Sequence, residues 1–204
     1  MKTTTQIIAK EGYKNLCFVF IALVLCLFFN LKFLAFICGI FFLTLLYFYR
    51  NSERIAESIE ENVIIAPLDG VIKDIIKDKE KIKIFIKKPI CFCSLLRAPF
   101  KCEIARVYEV KGLANGDSTL GERVKFNIYN KNCEMGLILY KKSISNIVFY
   151  DGSSFRFTER FGFFLSGNAI LELPLSVDLR IQVGDRILAG ETLIAEFIEL
   201  ESKI

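Results

Sequence analysis

The stretch KIKIFIKK (81–88) alternates basic and apolar residues from its first position. Alternation with a period of two predicts a strand with one buried and one solvated face. Working outward, VKFNIYN (124–130) and SFRFTER (154–160) alternate in the same way. Further strands are predicted from short apolar or partly alternating runs at 63–67, 70–76, 103–110, 136–140, 169–173 and 192–197. No helical pattern interrupts them, so we predict an all-β domain, antiparallel or mixed, that forms a sandwich or a partly closed barrel.

Turn signals separate these strands and include two hairpin-like pieces. The turns are Leu68-Asp69-Gly70, Asn115-Gly116-Asp117, Asp151-Gly152 and Gly184-Asp185. APLDGVIKDI (66–75) and VGDRILAGETLIAEF (183–197) resemble the half-motifs of barrel-sandwich hybrid folds. Neither has a lysine at the tip of its turn, which argues against a lipoyl or biotin carrier.

Residues 16–49 are almost wholly apolar and are interrupted only around Asn30 and Lys32. One helix over this whole length would run well past the roughly 20 residues that span a bilayer. We therefore predict a transmembrane helical hairpin with arms at 16–29 and 33–49. The arms are short, so whether the hairpin spans the bilayer completely is left open.

Basic residues flank this hairpin on both sides and predict its orientation. Lys2, Lys10 and Lys14 precede it, and Arg50 and Arg54 follow it. The positive-inside rule then puts both ends, and the β domain, on the cytoplasmic side of the inner membrane. The predicted organisation is a cytoplasmic segment, the hairpin, a polar connector and the β domain, at 1–15, 16–49, 50–62 and 63–204.

The composition excludes several classes of chemistry. The 204 residues include no histidine, which rules out Ser-His-Asp and Cys-His nucleophiles and histidine bases. Seven cysteines, an odd number, argue against a disulfide framework. The single close pair, Cys91 and Cys93, is a poor zinc site without histidine, so we expect no metal. A net charge of +4 and the absence of any nucleic-acid motif give no reason to expect nucleic acid as a partner.

The stretch 73–88 contains seven lysines, partly balanced by Asp74, Asp78 and Glu80. Its ordinary interpretation is a solvated strand face. The functional alternative is contact with anionic phospholipid headgroups at a membrane surface, where each basic residue contributes on the order of 1 kcal/mol.

Over nearly its full length, the chain resembles the short, membrane-anchored branch of the phosphatidylserine and archaetidylserine decarboxylases. The resemblance is carried by the order of several short motifs. These are AKEG (9–12), YFYRNSER (47–54), IIAPLDGVI (64–72), RAP (97–99), GERVKFNI (121–128), RFGFF (160–164) and GDRILAGETLIA (184–195). None is specific alone, but their order and spacing match the family.

The resemblance implies a proenzyme that cleaves itself before a serine in a Gly-Ser pair. That serine becomes a pyruvoyl group, the electron sink for decarboxylation of the lipid headgroup. Self-cleavage in the family uses an Asp and a His, and the Asp corresponds to Asp69. Ser94 stands in place of the His. With the alignment anchored on Arg160, Asn168 replaces the family serine.

An alignment anchored on Pro174 instead puts the serine position on Gly167, so the Gly-Ser pair is absent in either case. The nearest serine, Ser166, would lie on the opposite face of its strand from position 167. Asp69 alone is a weak replacement for a histidine base at neutral pH.

Three hypotheses follow from these departures. The first is a decarboxylase-related membrane protein linked to phosphatidylethanolamine and phospholipid metabolism, without self-cleavage and with no cofactor. The second is an active decarboxylase that makes its pyruvoyl group from the displaced Ser166. The third is a membrane-tethered adaptor with no lipid ligand. The sequence leaves open whether the chain pairs with itself or with a catalytically complete relative.

Overall fold

The computed structural model describes residues 8–54, 56, 62–112, 122–130, 133–142, 145, 147–150 and 152–197. A 3-10 turn at Lys10–Gly12 leads into helix α1 (Tyr13–Phe28) and then α2 (Lys32–Phe48). Asn30 lies between them at φ 58°, a left-handed conformation that asparagine tolerates better than most residues. The prediction of two helices broken near Asn30 is confirmed.

Both helices present large apolar side chains to their surroundings. Phe18, Phe28 and Phe33 are each at least 75% exposed. The helical segment Lys10–Phe28 is long and apolar enough to cross a membrane, whereas Lys32–Phe48 is apolar but shorter. A helix that is apolar all round requires an apolar environment, so the length and composition of the first segment are those of a membrane-associated helix.

The rest of the described chain is built of strands. They are β1 (Val63–Ile65), β2 (Gly70–Lys77), β3 (Lys81–Lys88), β4 (Leu95–Arg97), β5 (Cys102–Val110), β6 (Arg123–Asn130), β7 (Cys133–Lys141), β8 (Ile147–Phe149), β9 (Ser154–Phe155), β10 (Arg160–Phe164), β11 (Gly167–Pro174), β12 (Val177–Leu179), β13 (Arg186–Ile187) and β14 (Leu193–Phe197).

These strands form three antiparallel sheets. The largest has eight strands in the order β13-β2-β3-β11-β7-β6-β5-β9 and does not close on itself. The two smaller sheets have the orders β1-β14-β12 and β4-β10-β8. Every pairing among the described strands is antiparallel, so the mainly β prediction is confirmed, and the antiparallel alternative is the one that holds.

The alternation in 81–88 corresponds to strand β3, which has one buried and one more exposed face, as predicted. Ile82, Ile84 and Ile86 point into the core, while Lys81 and Lys87 are exposed. The core continues through a group of aromatic rings from several strands, with centroids 5.4–6.4 Å apart: Phe126, Phe149, Phe155 and Phe161. One apolar core therefore joins the large sheet to the smaller ones.

The prediction of one strand over 154–160 is wrong. The chain forms the two-residue strand β9, turns, and starts β10 at Arg160. In the turn, the Glu159 side chain accepts a hydrogen bond of 2.7 Å from the Arg156 N–H, and Thr158 adopts φ 59°. The alternation of polar and apolar residues in 154–160 therefore arises from a turn, which is stabilised by a hydrogen bond from the backbone to a side chain.

Five short strands have no sequence pattern that predicts them: β4, β8, β10, β12 and β13. All residues of β4, and all but the first of β10, are buried. A strand buried on both faces does not alternate, and β13 has only two residues. Their positions therefore become clear only from the assembled sheets.

The helical hairpin packs against the small sheet that contains β4 and β10. The Tyr49 ring stacks on Phe163 at 5.8 Å, and the Ala9 N–H donates to the Tyr49 carbonyl oxygen at 2.8 Å. A second apolar cluster, which includes Cys93 and Leu165, fills this junction. The segments around residues 94 and 166 therefore lie directly beside the exit from the hairpin.

Candidate functional site

The carboxylate of Asp69 lies in the tight turn that precedes β2 and is almost completely buried, with 1% of the residue exposed. The turn enters the strand at Gly70, where a Cβ atom would lie 2.3 Å from Ile86 Cγ2. A glycine is required there so that β2 can approach β3. Asp69, the residue predicted to be catalytic, is therefore fixed in the core and does not lie on an open surface.

All four lone-pair positions of the Asp69 carboxylate have a donor. Arg54 binds it with two guanidinium nitrogens: Nη1 donates to Oδ1 and Nη2 to Oδ2 at 2.8 Å. The Ala189 N–H donates to Oδ1 at 2.8 Å, and the Cys93 N–H to Oδ2 at 3.2 Å. A carboxylate offers about four such positions, so Asp69 has no position left for a further proton donor.

The Arg54–Asp69 pair is electrostatically strong. Burial lowers the pKa of Arg54, but the hydrogen bonds and the negative charge of Asp69 outweigh that effect, and the pKa lies above its ordinary value. The bidentate contact is the geometry in which arginine and a carboxylate interact best. The guanidinium of Arg54 is therefore held firmly against the Asp69 carboxylate.

Ser94 occupies the position where the family resemblance places a histidine. It is buried, and its Oγ lies 3.5 Å from the Phe48 carbonyl oxygen at the end of α2. Its own carbonyl oxygen accepts a bond of 2.7 Å from the Phe164 N–H. Ser94 therefore lies beside the segment that leads to Ser166, where its described contacts are with main-chain groups of α2 and β10.

Ser166 and Asn168 flank the start of β11. Ser166 is buried, and its N–H donates to the Ser145 hydroxyl at 3.0 Å. Asn168 is on the exposed face, between Lys87 of β3 and Tyr140 of β7. The two side chains thus differ in environment, and the assignment of either as a nucleophile stays a prediction.

Lys88 is a charged residue of this region that the sequence reasoning did not single out. It is 2% exposed, is paired in register with Gly167, and donates from Nζ to the Cys93 carbonyl oxygen at 2.5 Å. Burial, opposed by the charge of Asp69, lowers the pKa of Lys88 to about 8. The signal was present in the sequence, because the alternation 82, 84, 86 continues to 88.

Lys88 makes the stability of the domain depend on pH in a specific direction. Its pKa is about 8 in the folded chain, compared with 10.5 ordinarily, so between these values the unfolded chain binds the extra proton. The contribution of this group to stability then rises with pH across the window, by about 3 kcal/mol, and its penalty is fully present below pH 8. Lys88→Met is expected to abolish this rise.

The measurement is the thermal midpoint by circular dichroism, in detergent, from pH 7 to 10.5. Lys87→Met is the matched control, because Lys87 is adjacent but exposed. The expected result is a flatter pH dependence for Lys88→Met and an unchanged one for Lys87→Met. Equal slopes for the two variants would contradict the assignment.

Asp69, Ser94 and the start of β11 meet at one end of the large sheet. Cys93 provides the link, since its N–H binds Asp69 and its carbonyl oxygen binds Lys88. Arg54 was noted in the sequence only as part of the exit from the hairpin. Its pairing with Asp69 joins two segments 15 residues apart, and no local pattern indicates it.

The fold and the site define a class: an antiparallel β domain with an apolar helical hairpin at its N-terminal end and a buried Arg-Asp pair at the junction. Sequence comparison shows which named proteins are similar to this chain. The chain is 27% identical to the phosphatidylserine decarboxylase proenzyme of Geotalea uraniireducens, over 95% of this chain and 98% of the relative.

It is 28% identical to the proenzyme of the same name from Cytophaga hutchinsonii, over 93% of this chain and 98% of the relative. A third, from Desulfotalea psychrophila, is 28% identical over 75% of this chain and 79% of the relative. No protein-family model and no solved structure matches the chain. The resemblance found in the sequence is confirmed: the chain is homologous to phosphatidylserine decarboxylase proenzymes.

Proposed function

We propose that this protein is a membrane-bound relative of the phosphatidylserine decarboxylases that remains one uncut chain and acts in phospholipid metabolism by binding lipid. The observation that carries the proposal is the complete pairing of Asp69 with Arg54 and two N–H groups. A carboxylate in this state stabilises the fold and has no lone pair available to orient a base or receive a proton.

The sequence departures support the same conclusion. The chain contains no histidine to activate a hydroxyl. Asn168 has no hydroxyl from which a pyruvoyl group could be made, so the residue at that position does not fit the family cofactor. In β11 the chain runs through Gly167 and Asn168 with regular pairing to β3 and β7.

The placement in the membrane is part of the proposal. The exposed apolar surface of α1 and α2 lies in the inner membrane, and the β domain faces the cytoplasm. Basic residues on both sides of the hairpin support this orientation, with Lys10 and Lys14 before it and Arg50 after it. Trp is absent, but the Arg50 guanidinium lies 4.1 Å over the Tyr47 ring, an aromatic-basic pair suited to an interface.

The test is the intact mass of the full chain purified in detergent. One polypeptide at the full mass is expected, and Ser166→Ala should have the corresponding mass and no other change. Two fragments, the smaller one comprising residues 166–204 with a pyruvoyl-blocked end, would overturn the proposal.

One observation favours the second candidate, an active decarboxylase that uses Ser166. With a pKa of about 8, Lys88 carries an amine that is partly neutral near neutral pH, and its register partner Gly167 directly follows Ser166. A lysine can act as a base when burial lowers its pKa. If fragments form, Lys88→Met should slow their appearance and Lys87→Met should not.

A further inference from the structure

Two arginines face each other across neighbouring strands of the small sheet. In the antiparallel pairing of β10 with β4, Arg160 is the direct partner of Arg97. Side chains of directly opposed residues lie on the same face, and like charges there are destabilising. A negative group beside such a pair would offset the repulsion.

The described contacts of Arg97 are with neutral acceptors. Its Nη1 donates to the Thr158 carbonyl oxygen at 3.2 Å and its Nη2 to the Ser52 carbonyl oxygen at 2.6 Å. Burial and the positive charge of Arg160 lower the pKa of Arg97, and the negative charge of Asp69 opposes this only in part. Gly190, at φ 74°, leaves room for the side chain, because a Cβ there would lie 2.5 Å from Arg97 Cδ. Arg97 is thus a buried cation held in one conformation.

Among the residues that the structure describes, Arg160 has a weak acidic neighbour in Glu53. Its Nη2 lies 3.6 Å from Glu53 Oε1, and the Glu53 side chain is 68% exposed, whereas that of Arg160 is 22% exposed. Exposed ion pairs at such distances contribute little. The partly exposed guanidinium of Arg160 can therefore receive a ligand from outside, with the charge of Arg97 behind it.

The arginine pair lies at the junction with the helical hairpin. Ser52 and Glu53, which contact the two arginines, follow shortly after the end of α2 at Phe48. The neighbouring Phe163 of β10 stacks on Tyr49 at the same junction. With the hairpin in a bilayer, this junction is at the level of the headgroups, where lipid phosphates lie.

The geometry points to Arg97 and Arg160 as a binding site for a phosphate group, specifically the phosphodiester of a membrane phospholipid. This inference rests on the proposed lipid-binding function and assigns residues to it. Guanidinium groups match phosphate oxygens in a planar, bidentate geometry. Arg160 contacts the phosphate directly, and the buried Arg97 adds a second positive charge.

The lysine-rich stretch is less suited to this role. Lys83 is paired with Asp78 at 3.2 Å, and Lys81 is within 3.7 Å of Glu172. The turn between β2 and β3 is at the opposite end of these strands from Gly70 and Lys88, which lie near the hairpin exit. An eight-residue strand is about 25 Å long, so the arginine pair is much closer to the exit than the lysine-bearing turn.

The test measures the thermal midpoint of the full chain in a neutral detergent during titration with dioctanoyl phosphatidylglycerol. Parallel titrations use dioctanoylglycerol, which lacks the phosphate, and sodium phosphate, which lacks the lipid. The variants are Arg160→Gln and the control Arg106→Gln, an exposed arginine on β5 paired with Glu109. A ligand that binds the folded state raises the midpoint as its concentration rises.

The expected result is a rise with phosphatidylglycerol for the parent and Arg106→Gln, and none with dioctanoylglycerol. Arg160→Gln should need at least about tenfold more lipid for the same rise, as for a lost charge-assisted contact. An equal rise with sodium phosphate would support the phosphate site and identify the free ion as sufficient.

An Arg160→Gln titration that matches the parent would overturn the assignment of the site. The proposed function fails by a different result, the appearance of two fragments in the intact mass. Each experiment can therefore fail without the other.

Discussion

Replacing Asp69 by asparagine will destabilise the full chain strongly. The change removes the closer counter-charge of the Arg54 guanidinium, whose side chain is 12% exposed, and leaves it the looser contact with Glu191 at 3.7 Å. It also turns an amide N–H₂ toward a donor. Removal of one partner from a buried ion pair costs about 3–5 kcal/mol. For a chain of this size, the thermal midpoint should fall by roughly 10 °C.

The control for this variant is Asp78→Asn. Asp78 also forms an ion pair, with Lys83, but its side chain is 56% exposed, and the midpoint should stay close to that of the parent. In the double variant Arg54→Gln with Asp69→Asn, neither partner of this pair carries a charge, so its loss should be smaller than the sum of the single losses. Equal midpoints for Asp69→Asn and Asp78→Asn would contradict a structural role for Asp69.

The same variant distinguishes between the two readings of Asp69. In a self-cleaving proenzyme the residue would act on a serine, and its replacement would stop cleavage while the fold persisted. In the structure, the residue joins the hairpin exit to the turn before β2 and to Ala189 in the C-terminal part of the domain. Loss of stability without any change in processing is the outcome that the proposed function requires.

The parts of the fold that could be predicted have a local physical cause. The alternation in β3 and the apolar arms around Asn30 each report an environment that a short segment experiences by itself. The same holds for the turn at Asp69-Gly70, where close approach of β2 to β3 requires the glycine. Their bounds in the sequence and in the structure agree within a few residues.

The remaining parts depend on contacts between distant segments. Strands β4 and β10 are buried on both faces, so their patterns carry no period. The pairing of Arg54 with Asp69 and the opposition of Arg97 and Arg160 arise only when the sheets assemble. Arg and Asp residues can be read from a sequence, but burial and strand register determine which of them form contacts.

Gly167 bears on which residue corresponds to the serine of the family. Anchoring the alignment on Arg160 puts that serine at Asn168, and anchoring it on Pro174 puts it at Gly167. A Cβ atom at Gly167 would lie 2.1 Å from the Tyr140 carbonyl oxygen and 2.8 Å from Phe164 Cζ. Position 168 is exposed and already holds a side chain, so the packing favours the alignment anchored on Arg160.

Gly167→Ala is accordingly expected to destabilise the domain by roughly 2–5 kcal/mol, the sum of a backbone clash and the strain of φ 151°. Gly184→Ala separates the two causes, since Gly184 has φ 99° with open space around its Cβ position, and only the strain of about 1–2 kcal/mol should remain.

Thermal unfolding by circular dichroism measures both variants, with Asn168→Ser as a third. A serine at 168 should leave the midpoint close to that of the parent because the side chain points outward. If Gly167→Ala were no worse than Gly184→Ala, the close packing of β11 against β7 would be wrong. A side chain at position 167 would then fit, and packing would no longer favour Asn168 as the position of the family serine.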